Sequence, residues 1–281
     1  MSFRESICEH LAKYKVDVLG VEEDGIFHSR GRNVTKSHIL PVADKQQRGE
    51  LNILRYRGAR FFEGKYSRIK LHQFFHHLNS SQAMCINLFY PLIEERKLDL
   101  VTSFLGMEAT GEIEACFEKE SEMEQAVRRT NFDFHLRCPP IKNIFFEVKY
   151  TEDRFGAAKA DPEHCDKFRT LYSGLVAQAL EFLSERCLEE SFFLGRYQIL
   201  RNLVHLDSSS YVVFLFPSAN LKIKQQALDA RQDALTDAGR RRVKIALLEK
   251  VVTFLEVRCQ SDSLASYYRE FRAKYLPPSL T

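Results

Sequence analysis

The sequence predicts an α/β fold in which helices flank a mixed central β-sheet, with extra elements at both ends. Three stretches carry that reading. Asn131 to Glu152 has the pattern of two strands joined by a proline turn. Tyr211 to Phe216 (Y-V-V-F-L-F) is a continuous apolar run of strand length, as a strand buried on both faces requires. Between them, Phe168 to Leu188 places Leu171, Leu175, Val176, Ala179, Leu180 and Leu183 at helical spacing. Strand, strand, helices, strand is the order of a sheet covered by helices. The chain has 281 residues, with no repeat, low-complexity tract or linker. It is therefore expected to be one domain, with an N-terminal extension over about 1–44, a core over about 45–217 and a C-terminal helical extension over about 218–281.

The elements follow in order. Ser2 to Lys15 reads as a short helix. Val16 to Pro41 alternates and holds Asp24-Gly25 and Gly31, the signature of a hairpin or two short strands. Asp44 to Gly64 is expected to be helical, with Leu51, Ile53 and Leu54 on an apolar side and Arg48, Arg55, Arg57 and Arg60 on a basic one. Asn79 or Ser80 can cap the next helix. Its residues 83 to 90 are almost all apolar, so it should be buried, and Pro91 should stop or kink it. Inside such a helix, Gln82 and Asn87 must find internal partners or face a cavity. Leu98 to Gly106 continues helical, and Gly111 to Ser121 alternates as a strand. Residues 157 to 167 are polar, the pattern of a loop. Gly195 to Leu206 is a helix carrying Gln198, Arg201 and Asn202 on one face, a set that suits phosphate or base contacts. Asn220 to Gly239 is helical, V-K-I-A-L-L a short strand, and two helices close the chain.

Composition narrows the function classes. Hydrophobic residues are 44% and charged residues 28%, an ordinary globular balance, and the net charge is only +3. Its distribution is uneven: Lys45 to His77 holds eight Lys or Arg against two Glu, and Glu94 to Glu124 holds ten acids against three bases. Such neighbours suit a protein that holds a polyanion beside a metal site, although solvated helix faces give the same pattern. Within the basic stretch, Tyr56, Phe61, Phe62 and Tyr66 alternate with cations. Cations neutralise phosphates and aromatics stack on splayed bases, while the plain alternative is core aromatics with snorkelling cations. Seven cysteines, none in a C-x-x-C pair, read as reduced thiols and a cytoplasmic location. No apolar signal core opens the sequence, and no 18-residue apolar run suggests a membrane span.

The chemistry concentrates in Asn131 to Glu152. Phe132, Phe134 and Leu136 are expected on one face of the first strand, with Asp133, His135 and Arg137 on the other. Cys138-Pro139-Pro140 must turn the chain, because proline has no N–H for a ladder. Ile144, Phe146, Val148 and Tyr150 then share a face, opposite Glu147 and Lys149. Carboxylates from Asp133 and Glu147, with the Val148 carbonyl, would hold Mg²⁺, and Lys149 would orient a water. Glu112, Glu114, Glu118 and Glu120 line one face of the preceding strand, where they must be solvated or bound to cations, and Glu118 could join as a third metal ligand if that strand pairs with Asp133's. Spacing alone leaves a salt-bridged surface hairpin equally open.

These residues resemble a known family. F-D-F-H-L followed by F-F-E-V-K-Y-T-E is similar to the PD-(D/E)xK nuclease superfamily, of restriction-endonuclease-like fold, and to a bacterial restriction-endonuclease-like branch of it. The likeness also runs through K-S-H-I-L-P, N-S-S-Q-A-M-C-I-N-L-F, A-C-F-E-K, R-T-N-F-D and Q-I-L-R-N, over roughly residues 36 to 217. It implies Asp133 and Glu147 as metal ligands, Lys149 as the catalytic lysine, and Glu118, Gln82, Gln198, Arg201 and Asn202 near the site. Phe132 stands where the motif often has proline. No acid stands on the Gln82 helix, where many members carry a glutamate. The expectation is a Mg²⁺-dependent nuclease, with Mn²⁺ as a substitute, that cuts DNA as an endonuclease. Its Arg55, Arg57, Arg60 and Arg201 would meet phosphates, with no membrane association; the resemblance admits a homodimer. The rival is a catalytically inactive nucleic-acid-binding protein on the same fold.

Overall fold

A computed structural model describes residues 1–29, 31–41, 50–54, 57–66, 68–125, 129–259 and 263–278. The backbone groups into two compact units: Met1–Phe104 with Pro217–Ala219 and Leu248–Thr281, and Leu105–Phe216 with Asn220–Leu247.

The second unit is built on a five-stranded sheet: β3 (Glu114–Glu120), β4 (Asn131–Cys138), β5 (Ile141–Val148), β6 (Ser210–Phe216) and β7 (Val243–Leu247), in that spatial order. β3, β4 and β5 are antiparallel and β5, β6 and β7 parallel, so the sheet is mixed and helix-flanked as expected. Two prolines make the β4–β5 turn, where hydrogen-bonded pairing is impossible. One face of the sheet gives Phe145, Val212 and Phe214 to a core closed by the helices Ser173–Gln178, Glu190–Gly195, Tyr197–Leu203 and Leu221–Asp233. Val148 N–H begins no further ladder with β4, and there the expected alternation breaks. Phe134 pairs with Phe146, but Phe132 stacks on Phe145, whose side chain leaves the other face, at 4.3 Å between ring centroids. Across the β3–β4 pair, Phe117 stands opposite Phe134 and Lys119 opposite Phe132, and Glu118 between them takes a left-handed φ of 54°. That local turn re-aims the side chains on both sides of Asp133.

Two helix boundaries differ from expectation. The polar 157–167 stretch becomes helical at Pro162, capped by Asp161, whose side chain accepts from His164 N–H. The α-helical run then ends at Gln178, after one π-turn over Phe168–Tyr172, and only a short 3₁₀ turn over Glu185–Leu188 follows. Between the two, Leu183 bridges to Leu235 and Thr236 N–H donates to the Phe182 carbonyl at 3.1 Å, so extended pairing interrupts the expected helix.

The first unit holds the capped Phe3–Asp17 helix, the hairpin β1 (Gly25–Ser29) and β2 (Arg32–Lys36), and the helices Arg57–Glu63, Ser81–Glu94, Asp99–Phe104, Leu248–Arg258 and Ser263–Tyr275. The single helix expected over 44–64 is interrupted, since Ile53 and Leu54 are not helical; residues 42–49, 55 and 56 lie outside the described set. Ser80 caps the buried helix, but Pro91 lies within it and the helix runs on to Glu94. Proline removes the hydrogen bond that the Asn87 carbonyl would have accepted. The Tyr267 hydroxyl donates to that carbonyl instead, at 2.8 Å.

Candidate active site

β4 and β5 bring Asp133, Glu147 and Lys149 together at the end where these two strands cease to pair with each other. Asp133 Oδ2 accepts the Val148 amide N–H at 2.6 Å, so the carboxylate is fixed by the backbone between the other two residues. Lys149 Nζ lies 2.8 Å from Glu147 Oε1. Glu147 and Lys149 are only 2% and 8% exposed, while Asp133 is half-buried.

Helix Tyr197–Leu203 supplies the donors that hold Glu147. Gln198 Nε2 donates to Glu147 Oε1 and Asn202 Nδ2 to Oε2, each at 2.7 Å. Their spacing of four puts both amides on one helix face over the sheet. Gly156, with φ of 108°, accepts from Gln198 N–H at 3.2 Å. A Cβ there would stand 3.3 Å from Gln198 Oε1 in a conformation L side chains rarely adopt, so glycine keeps the amide in place.

The electrostatics follow from this crowding. Burial pushes the Asp133 carboxyl well above the usual carboxylate range, and the charges of Glu147 and Glu118 push it further; Lys149 and the Val148 amide only partly offset them. Burial would lower the Lys149 ammonium, but Glu147, Glu152 and Asp133 outweigh it and raise its pKa. Lys149 is therefore a firmly protonated cation.

The other expected site residues fall in several places. Glu118 accepts from Asn131 Nδ2 and is close enough for its charge to act on Asp133. Among the described residues, no three His, Cys, Asp or Glu side chains converge as a ligand set. Arg201, on the same helix as Gln198, turns away from Glu147. Its Nη2 lies 3.5 Å from Glu124 Oε2 and its Nε donates to Thr130 Oγ1 at 3.1 Å. Glu124, inside the acidic run that reads as metal-facing or solvated, is buried at 1% exposure and also accepts from Tyr172 Oη at 3.1 Å. Gln82 and Arg60 belong to the first unit. Gln82 spends its amide on the Lys70 carbonyl and the His72 N–H, and Arg60 lies 3.9 Å from Glu94. Arg55 and the Arg57 side chain lie outside the described residues.

Two contributors escaped sequence reading. Glu152 helps to hold Lys149 charged, and accepts from Tyr150 N–H at 2.7 Å. Asn220 donates to the carbonyls of Tyr150 and Glu152 at 3.0 and 2.9 Å, clamping the chain after the lysine. Glu152 lies within E-V-K-Y-T-E, so a signal existed; Asn220 showed only as the first residue of a polar helical stretch.

Among the described residues, no helix is long and apolar enough to cross a membrane. Comparison with curated proteins and with solved structures gives no match. A family model does match, over residues 9–276, and its description suggests a nuclease. The chain belongs to that restriction-endonuclease-like family, Restriction Endonuclease associating with ARP.

Proposed function

We propose that this protein is a Mg²⁺-dependent endonuclease that hydrolyses DNA phosphodiester bonds at Asp133, Glu147 and Lys149. The observation that carries the reading is the pairing of two carboxylates crowded enough to raise one of them with a lysine kept charged beside them. A structural ion pair needs no second buried carboxylate, which only adds repulsion.

The donor set fits a hard divalent cation. Mg²⁺ is commonly held by one or two carboxylates, keeping several waters, and two carboxylates are what the site offers. Asp133 and Glu147 would hold it, with the Val148 carbonyl beside them, while Glu118 acts on the site through its charge on Asp133. Once bound, the cation would neutralise phosphate oxygens and acidify a water. Gln198 and Asn202 fix Glu147 so that its oxygens cannot swing away. Lys149, protonated, donates to the attacking water or to a phosphate oxygen and stabilises the charge that develops there; a raised pKa makes it a poor proton acceptor. Mn²⁺ would serve in place of Mg²⁺, and basic residues outside the site, Arg60 among them, would meet the DNA backbone.

Plasmid cleavage with and without Mg²⁺ tests this directly. Wild-type protein is expected to nick or linearise plasmid only with metal, and Lys149→Ala and Asp133→Ala to lose at least about a hundredfold in rate. Cleavage indifferent to both substitutions would sink the mechanism. DNA binding without cleavage under any metal would favour the inactive binding protein instead.

A further inference from the structure

The chain leaving Lys149 is tied down before it reaches the next helix. Besides the Asn220 clamp, Gln226 accepts the Phe155 N–H at 3.1 Å and donates to the Asp153 carbonyl at 3.2 Å. The Ala158 N–H donates to the Leu194 carbonyl at 2.9 Å. A loop so pinned keeps its shape without a ligand.

Against this loop the second unit holds an open cavity of about 380 Å³, within the range of ligand pockets, roughly 300–1,000 Å³. Phe155 and Ile199, both buried, give it an apolar floor. Two guanidinium groups border it. Arg154 is exposed; Arg196 is held over the Phe192 ring at 4.1 Å, with Asp233 Oδ2 at 3.3 Å. Asp229 adds a carboxylate, which accepts from Gln225 Nε2 at 2.7 Å. An ionised carboxylate has about four acceptor sites, so capacity remains for a ligand N–H. Gly195 completes the wall, and a Cβ there would meet nothing within 4 Å.

An apolar floor, cations at the border and one strong acceptor match the three parts of a nucleotide: base face, phosphate and base N–H. The cavity also adjoins the candidate active site. Lys149 Nζ lies 5.8 Å from the Phe155 ring centroid, and Gly156 accepts the N–H of Gln198, which bonds Glu147. We propose that this cavity is a subsite for one nucleotide of the substrate strand, next to the bond to be cut. The base lies on Phe155 and Ile199 with an N–H to Asp229, and phosphate meets Arg154 and Arg196. The proposal rests on the nuclease reading for its role, but its binding can be measured apart from cleavage.

The test is calorimetric titration of the full chain, free of divalent metal, with each of the four deoxynucleoside 5′-monophosphates and with inorganic phosphate. Saturable binding of the nucleotides is expected, at least about tenfold tighter than that of phosphate. Gly195→Phe, which fills open space, should weaken all four by about tenfold or more, and Arg154→Ala should weaken them alike. Asp229→Asn should weaken all four, because each base, thymine through N3–H, presents an N–H to the carboxylate. Arg154 is exposed, and a matching melting temperature for each variant shows that folding is retained. No saturable nucleotide binding, phosphate bound as tightly as nucleotide, or binding unmoved by these variants overturns the subsite. Metal-dependent plasmid cleavage without nucleotide binding would overturn the subsite and leave the nuclease standing. Variant-sensitive binding without cleavage would support the subsite and overturn the nuclease.

Discussion

At the scale of single residues, the candidate site trades stability for charge placement. The Asp133 carboxyl, raised by burial and by Glu147, binds its proton more tightly in the folded chain than in the unfolded one. The sign follows from linkage. Above the ordinary carboxylate pKa the folded state alone retains the proton, so stability falls as pH rises through that window. At neutral pH the residue is a net cost, and Asp133→Asn should raise the melting temperature of the metal-free protein, by about 2–4 °C for each kcal/mol of repulsion relieved. The rise should shrink towards pH 4, where the wild-type carboxyl is protonated as well. Mg²⁺ should stabilise wild type through binding to the folded state and should do little for the variant. Thermal melts over pH 4–8, with and without Mg²⁺, read all three effects. A variant less stable than wild type at pH 7 would mean that the Val148 contact outweighs the repulsion. Glu147 shows the complementary case: Gln198→Ala leaves it short of a buried donor, and should cost about 1–3 kcal/mol in stability along with cleavage.

At the scale of elements, the Ser81–Glu94 helix shows how tertiary structure completes what local sequence breaks. Pro91 leaves the Asn87 carbonyl without its helical donor, and the Tyr267 hydroxyl fills the gap. Tyr267→Phe should therefore cost about 1–3 kcal/mol, the cost of a buried polar group left unpaired. In a Pro91→Ala background the helix N–H returns, and the same substitution should cost less by about 1 kcal/mol or more. Urea unfolding of the four proteins of this cycle measures the coupling; additive effects would refute it. The partner lies 180 residues away, and no local pattern announces it. The same distinction governs what was legible. β4, β5 and β6 could be read because alternation and apolar runs are local signals, and Asp133, Glu147 and Lys149 came with them. Phe132's change of face could not be read, since it depends on a left-handed residue in the neighbouring strand. The early stop at Gln178 depends on pairing with residues 234–236. Arg201 shares a helix face with Gln198 in the sequence, yet its direction was settled by Glu124, which looks in sequence like one more solvated acid.

At the scale of the whole molecule, each unit is assembled from separated parts of the chain, and the first closes only when its last helix returns. Lys274 makes that closure. It is buried, and its Nζ donates to Asn52 Oδ1 and to the Asn52 carbonyl at 2.7 and 2.8 Å, across 222 residues. Asn52 in turn donates to the Phe75 and His77 carbonyls, and Asn87 Nδ2 to the Asn52 carbonyl. Acceptors without countercharge do not offset the loss of water around an ammonium, and burial lowers the Lys274 pKa to about 7. The linkage sign is the reverse of the usual lysine ion pair. Between pH 7 and the unfolded lysine pKa of about 10.4, the unfolded chain holds the proton and the folded one releases it. Stability should then rise with pH, by about 1.4 kcal/mol per unit from this residue. Lys274→Met loses hydrogen bonds as well as charge, so its absolute stability does not decide the matter; the slope does. Subtracting the variant's urea-unfolding free energy from the wild type's at pH 7, 8 and 9 should give a difference that climbs steadily. A flat difference would show that Lys274 stays charged inside the fold. Hydrogen exchange over the same pH range should place the gain in peptides around Asn52, Asn87 and Lys274, because closure of this unit is what the neutral amine favours.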